Sequence, residues 1–150
     1  MNLKERAAYY RRLLTTLNQT RDEDAIKAGF NAAALVKARV QRSGENYLGE
    51  QFSPYTQDYA KYGRTAKGYQ DAYVDFTRTG QLMKSIGVEV SDRGKDFTTV
   101  AIRPDNPIDQ KKVDGAFKKR GNILLLSEKE REIISKNFLR LRQERMENER

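Results

Sequence analysis

The segment DFTRTGQLMKSI, residues 75–86, lies between a long tyrosine-rich region and a run that alternates in the manner of a β-strand, GVEVS. Thr79 can cap a short helix through its hydroxyl, and Gly80 would allow a neighbouring backbone to approach closely. Leu82 and Ile86 then lie one helical turn apart and are predicted to point inward. The segment therefore predicts a rigid structural corner between a short helix and a strand, with no catalytic role.

A β-hairpin is predicted directly after the corner, at about residues 87–103. The alternating run GVEVS is followed by the loop DRGKD and by FTTVAI, residues 97–102, which again favours a strand. Pro104 and Pro107 are expected to end the second strand.

Two helices are predicted before the corner. The first covers residues 2–18 and has one apolar face, formed by Leu3, Ala7, Tyr10, Leu14 and Leu17. The second begins at a capping box, Thr20 with Glu23, and runs to about Arg42. Its apolar stripe consists of Ile26, Phe30, Ala33, Val36 and Val40.

The region of residues 43–75 is rich in tyrosine and poor in aliphatic residues. Ser53 and Pro54 predict a helix start, with Ser53 as the N-cap and Pro54 at the first helical position. The predicted helix ends at Gly63 and places three rings on one face, those of Tyr55, Tyr59 and Tyr62. A basic, exposed loop is expected between Gly63 and Gly68.

A C-terminal helix is predicted from a second capping box, Ser127 with Glu130, with Ile134, Phe138 and Leu141 on one face. Residues 103–122 are polar and basic, and they predict a loop or arm that is poorly ordered in a free monomer. The expected fold class is therefore α+β: a short antiparallel sheet flanked by helices. The predicted organisation is a helical extension at 1–20, one domain at 21–142 and a charged tail at 143–150.

The chain is basic and rich in charged residues, and this composition narrows the range of possible partners without identifying one. The chain has 29 Lys and Arg against 21 Asp and Glu, a formal net charge of +8 and a sequence pI of about 9.7. Such a balance favours an anionic partner, but the basic residues are spread along the chain, so many of them would simply be solvated. A charged fraction of 33% suits either a subunit that completes its fold in an assembly or a small domain with disordered ends.

The residue types needed for most catalytic and metal sites are missing. The chain has no cysteine and no histidine, which excludes disulfides, thiolate sites and histidine-dependent triads. The acidic pairs at Asp22–Asp24 and at Glu128 and Glu130 lie at helix starts, where capping explains them better than catalysis. Lys84 and Ser85 are adjacent and do not face each other on a helix. No enzyme activity, cofactor or metal is predicted.

The N-terminal residues carry charges within the apolar pattern and do not resemble a signal peptide. No uncharged run approaches the ~20 residues that a membrane span needs. A soluble protein made in a cytoplasm, without a membrane partner, is therefore expected.

Two basic regions are candidates for an interface or a nucleic-acid contact. Tyrosines interleaved with Lys61, Arg64 and Lys67 could stack on bases and hold phosphates, could form a protein interface, or could simply dock a helix on the core. The second region lies in the predicted arm and comprises Lys111, Lys112, Lys118, Lys119 and Arg120.

The order of the motifs resembles a known family over roughly residues 23–140. A Ser-Pro-x-Thr helix start, matched by Ser53, Pro54 and Thr56, precedes a Thr-Gly-x-Leu-x-x-Ser-Ile element, a hairpin and an apolar segment that opens a C-terminal helix. The second element is matched by Thr79, Gly80, Leu82, Ser85 and Ile86, and the last by Leu124, Leu126 and Ser127. In these features the chain resembles the virion morphogenesis and tail-completion proteins of tailed bacteriophages. The family's tryptophan before Ser-Pro is absent, with Phe52 near its place.

The resemblance implies a structural virion protein of the head-to-tail connector, or neck, made in the cytoplasm of the host bacterium. Identical copies would form a ring and contact portal, adaptor or tail-tube proteins. The basic side chains would line the channel of this ring and contact the phosphates of genomic DNA without sequence specificity, or would meet acidic patches of an adjacent ring. The alternative function is a basic nucleic-acid-binding protein that acts alone.

Overall fold

A computed structural model describes residues 2–77 and 80–149 of the chain. The helices are α1 (Leu3–Gln19), α2 (Arg21–Ser43), the short α3 (Gln81–Ser85), α4 (Pro107–Arg120) and α5 (Glu128–Asn148). The strands β1 (Ile86–Arg93) and β2 (Thr98–Pro104) form one antiparallel sheet. The predicted α+β class, with a two-stranded sheet flanked by helices and a C-terminal helix, is confirmed.

The hairpin has the predicted position and alternation. Val88 pairs with Ile102 and Val90 with Val100, so the branched side chains of both strands share one face. That face meets α2 at Gly29, where an added Cβ would lie 2.5 Å from the Val88 Cγ1 atom. The glycine is needed inside this helix because only its bare backbone allows such close approach to the sheet.

The core is built around the inner side of α2, which contacts both strands and α5. Side chains from the tyrosine-rich region, the corner, α4 and the segment after α4 converge there, including two residues of the corner. The buried cluster consists of Ala33, Val36, Val40, Phe52, Val74, Met83, Ile86, Ala116 and Ile123.

The predicted apolar faces of α1 and α2 are only partly correct. Phe30 is exposed at the rim of a depression between α2 and α5, because α2 buries its sheet-facing side and leaves Phe30 beside Asn137 and Leu141. On α1 the buried residue is Leu13, whereas Tyr10 and Leu14 are exposed.

Of the two predicted capping boxes, the one at the start of α5 is confirmed. Ser127 Oγ accepts from the Glu130 N–H at 3.2 Å, and the Ser127 N–H donates to Glu130 Oε2 at 2.7 Å. The box at Thr20 is wrong, because the Thr20 hydroxyl donates to the Thr16 carbonyl of the preceding helix at 2.9 Å. Thr20 is the single residue between α1 and α2, so its hydroxyl completes the first helix instead of starting the second.

The predicted arm at 103–122 is wrong, since most of it forms α4. Asn106 is the N-cap and accepts from the Asp109 N–H at 2.8 Å, and Pro107 takes the first helical position. Val113 and Ala116 lie on the buried side of the helix. Phe117 packs against the core cluster beside them, and these apolar residues at helical spacing dock the otherwise polar segment.

The tyrosine-rich region also differs from its prediction. The segment after Pro54 has no regular structure up to residue 56. A helical turn begins at residue 57, a π-helix then covers Tyr59–Arg64, and one 3₁₀ turn follows at Thr65–Lys67. Gly63, the predicted helix end, lies inside the π-helix against the Tyr59 ring. The wider π turn brings the next residue, Arg64, to the inside of the loop.

Candidate assembly surfaces and the buried contacts that shape them

Arg64, a predicted interface residue, is buried in the structure. Its side chain is 1% exposed, Nη2 donates to Asp75 Oδ1 at 3.0 Å, and Nε donates to the Gln70 carbonyl at 2.6 Å. The guanidinium carbon also lies 4.6 Å from the centroid of the Tyr55 ring. Arg64 therefore cannot reach DNA or a neighbouring subunit, and its place among the candidate surface residues is wrong.

Asp75, the first residue of the corner segment, is the centre of this network. Besides Arg64, it accepts from Gln70 Nε2 at 2.6 Å, from the Thr77 N–H at 3.0 Å and from the Tyr55 hydroxyl at 3.2 Å. Burial opposes ionisation, but the hydrogen bonds from Thr77 and Gln70 and the charge of Arg64 hold the pKa of Asp75 below its usual value. The ionised carboxylate thus fastens the tyrosine-rich region to the start of the corner.

The corner is buried as predicted at Leu82 and Ile86, and Ser85 is buried as well. Met83, which the sequence prediction left out, also enters the core cluster. The reason for a glycine at position 80 differs from the predicted one. A Cβ added to Gly80 would meet only Lys84 Cε, at 3.9 Å, so no close approach requires a glycine there. The requirement is conformational, because Gly80 has φ 68°, in the left-handed region. Thr79 lies outside the described residues, so its capping role stays a prediction.

Ser85 joins the corner to the start of α4. Its carbonyl accepts from the Asp105 N–H at 2.8 Å, and its hydroxyl donates to the Leu82 carbonyl at 2.9 Å. Hydrogen bonds from Lys112 and Asn106, with a smaller contribution from Ser85, outweigh burial and lower the pKa of Asp109 to about 2. The corner therefore positions a second helix as well as the hairpin.

We expect stability to be nearly constant from about pH 5 to 8 and to fall steeply below about pH 4. The pKa values of Asp75 and Asp109 are depressed in the folded chain, so each contributes stability above its unfolded pKa of about 3.9. That stability is lost as the pH falls through the folded values. The chain has no histidine, so little should titrate between these regimes.

Urea denaturation across this pH range measures the effect. An Asp109→Asn variant should lose less stability than the parent between about pH 4 and 2, because its amide does not titrate. A parent transition centred near pH 6, or an unchanged acid slope in the variant, would contradict the assignment.

The remaining candidate cations divide into engaged and free groups. Lys112 pairs with Asp109, while Arg120 Nε donates to the Ser53 carbonyl at 3.3 Å and its guanidinium lies 5.9 Å from the centroid of the Phe76 ring. The others are exposed and have no ion-pair partner in the part of the chain that the structure describes. They are Lys61, Lys67, Lys111, Lys118 and Lys119.

Arg120 ties the end of α4 to the segment before the π-helix through the Ser53 carbonyl. Lys61 lies 5.0 Å from the centroid of the exposed Tyr62 ring. The exposed lysines thus lie on two different elements of the chain, the π-helical segment with its 3₁₀ turn and α4.

The acidic run at the start of α2 holds separate elements together. Asp24 is buried and accepts from Arg142 Nη1 and Arg145 Nε of α5, each at 2.8 Å. Burial opposes ionisation, yet these hydrogen bonds lower the pKa of Asp24. Asp22 accepts from Arg93 and Thr98 of the hairpin. The prediction that these acids only cap the helix was incomplete, because one sequence cannot show which distant arginines reach them.

Arg39 forms a further link that sequence reasoning missed. Its Nε atom donates to Glu130 Oε1 at 2.9 Å, and its two terminal nitrogens donate to the carbonyls of Glu45 and Leu125, each at 2.7 Å. One side chain of α2 therefore ties down the loop after α2, the segment before α5 and the α5 cap. The even spread of arginines along the chain gave no signal for this role.

Residues 2–77 and 80–149 contain no group of three or more acidic side chains placed to hold a metal ion. In the same ranges, no helix has the length and apolar character needed to span a membrane.

A broad depression of about 720 Å³ lies at the start of α5, lined by Tyr47, Leu48, Ser127 and Glu128 among others. Its other charged lining residues are Lys129, Arg131 and Glu132.

Comparison of the chain with protein-family models, with curated protein sequences and with solved structures found no match.

Proposed function

We propose that the chain is a structural subunit of a tailed-phage particle, forming a ring in the head-to-tail connector or completing the tail. The supporting observation is the corner, since the residues that carry the resemblance are those that organise the domain. Leu82, Ser85 and Ile86 are buried, and Ser85 links the hairpin to α4. A motif whose residues are buried fixes the arrangement of the helices and strands around it. This suits a subunit that functions through its outer surfaces.

The use of charge supports the same proposal. The buried ionisable groups Asp24, Arg64, Asp75 and Glu130 form ion pairs that join separate segments, and buried Asp109 pairs with Lys112 of its own helix. Such fully satisfied polar groups specify one rigid arrangement rather than a reactive site.

A ring requires that one surface of each copy meets a different surface of the next, with a rotation that closes. The chain offers exposed apolar side chains on separate elements, such as Leu14 on α1 and Ile108 on α4. Such separated patches suit contacts with neighbouring copies and with adjacent portal, adaptor or tail-tube proteins better than one small-molecule pocket.

Sedimentation velocity at rising protein concentration tests the proposal. A closed assembly should appear as one discrete large species, because a ring stops growing once it closes. Open-ended growth or a monomer at every concentration would count against a ring that forms without a partner.

The second candidate, a nucleic-acid-binding protein that acts alone, is favoured by the free lysines. If they contact DNA, duplex affinity should fall with salt at a log–log slope of about −0.9 per phosphate contact. A Lys111→Gln/Lys118→Gln/Lys119→Gln variant should weaken binding and reduce that slope by up to about 3. Lys112 is left intact because it pairs with buried Asp109.

The matched control is Lys27→Gln, an exposed lysine on α2 whose partner is Glu23. An effect of the control that is about one third of the effect of the triple variant, in proportion to the charge removed, would assign any binding to overall charge. Absence of DNA binding by the parent would remove this candidate and leave the assembly proposal standing.

A further inference from the structure

Helix α1 carries an apolar stripe that the described part of the chain leaves uncovered. Leu3, Ala7, Tyr10 and Leu14 follow at spacings of four, three and four residues. Leu3 is 84% exposed, Tyr10 58% and Leu14 61%. Another side of α1 is anchored by buried Leu13, so the stripe is held outward on a fixed helix.

The far end of α1 is tied to α5 as well. The Thr16 hydroxyl donates to Glu149 Oε1 at 2.9 Å, and Arg142 Nη1 donates to the Leu17 carbonyl at 2.9 Å. A helix held at this end presents its stripe in a preformed state, which lowers the entropic cost of docking a partner.

The spacing of the stripe indicates the shape of its occupant. Alternating steps of four and three residues give the narrow seam along which two helices pack in a coiled coil. A helix that lies on a membrane needs a broader apolar face, usually with bulky or aromatic residues across it. Here the stripe is one side chain wide and contains the small Ala7, beside which a large side chain of another helix can fit.

The charge beside the stripe indicates the chemistry of its occupant. Lys4 and Arg11 lie along one flank and Arg6 along the other, the positions that pair across a two-helix seam. All three are exposed and lack an ion-pair partner among residues 2–77 and 80–149. Glu5, the only acidic residue of α1, takes part in the capping box with Asn2. Two copies of α1 packed together would place these cations opposite one another, which disfavours self-pairing.

We propose that α1 docks an acid-rich amphipathic helix of a partner protein. The apolar residues of that helix pack on Leu3, Tyr10 and Leu14, and its flanking Glu or Asp side chains pair with Lys4, Arg6 and Arg11. This surface does not depend on ring formation, so its test can fail while the proposed function stands.

The probe is a labelled synthetic peptide of about three heptads, with Leu at the four-and-three positions and Glu on both flanks. Fluorescence anisotropy with the full chain at low salt should show saturable binding. Leu14→Asn and Lys4→Glu/Arg11→Glu should each weaken it about tenfold or more. The matched control, Leu139→Asn, changes an equally exposed leucine on α5 and should bind as the parent does. Circular dichroism checks that each variant keeps its helix content.

Four outcomes would overturn the proposal. In the first, the parent does not bind the peptide, and in the second it binds a peptide with Lys in place of Glu equally well. In the third, the Leu139→Asn control loses binding, and in the fourth both α1 variants bind the peptide as the parent does. Vesicles containing phosphatidylserine and a concentration series without peptide test the other occupants. Vesicle binding without peptide binding would assign the stripe to an anionic membrane, and self-association abolished by Leu14→Asn would assign it to a second copy.

Discussion

Replacing Arg64 by Met is expected to cost about 3–5 kcal/mol of unfolding free energy, because it leaves the Asp75 carboxylate buried without its cation. The side chains of the pair are 1% and 5% exposed, and the Arg64 guanidinium also holds the Gln70 carbonyl. Urea denaturation at neutral pH measures the loss. The variant should also lose less further stability than the parent as the pH falls below about 4, since loss of the cation raises the folded pKa of Asp75 towards its unfolded value and removes the contribution of this group to acid denaturation.

The control for this variant is Lys67→Met, which changes an exposed cation in the next helical turn and should alter stability by less than about 0.5 kcal/mol. A double variant, Arg64→Met with Asp75→Asn, should lose less than the sum of the two single changes, because the partners act on each other. Equal small losses in Arg64→Met and Lys67→Met would show that the network does not hold the tyrosine-rich region.

Leu82→Ala is expected to destabilise the chain by about 2–5 kcal/mol, the range for truncation of a buried leucine. Leu82 is 8% exposed and stands between Gln81 and Met83 in the short helix of the corner. Because this helix leads directly into β1, a loss of packing there should loosen the hairpin and the start of α4 together. Thermal and urea unfolding should therefore show one cooperative transition at a lower midpoint.

Leu139→Ala provides the matched comparison, since Leu139 lies on the exposed side of α5 and little packing is lost there. It should change stability by less than about 0.5 kcal/mol. A Leu82→Ala variant that unfolds like the parent would mean that the corner is not structural, and the reason for its sequence would then have to lie at the surface.

The parts of the fold that could be predicted from the sequence are those with a local signal. The alternation of GVEVS and FTTVAI identified the hairpin, and Ser127 with Glu130 identified the start of α5, because strand alternation and capping depend on residues close in sequence. Helix α4 also has a local signal, Asn106 followed by Pro107, but the polar composition after it favours a loop.

The candidate site was less predictable because burial depends on contacts between distant residues. Arg64 has the same sequence signature as Lys61 and Lys67, yet it is buried because the π-helix turns it towards Asp75. Phe30 has the spacing of a core residue, yet it is exposed because α2 meets the sheet on a neighbouring side. A single sequence carries no pairing information of this kind.

Negative-stain electron microscopy of the purified full-length chain, at concentrations where large species sediment, tests the central claim most directly. A structural ring subunit predicts closed particles of one diameter with an open centre, which class averages should show with rotational symmetry. Monomers at every concentration that bind duplex DNA with a steep salt slope would contradict the claim, and would assign the chain to nucleic-acid binding on its own.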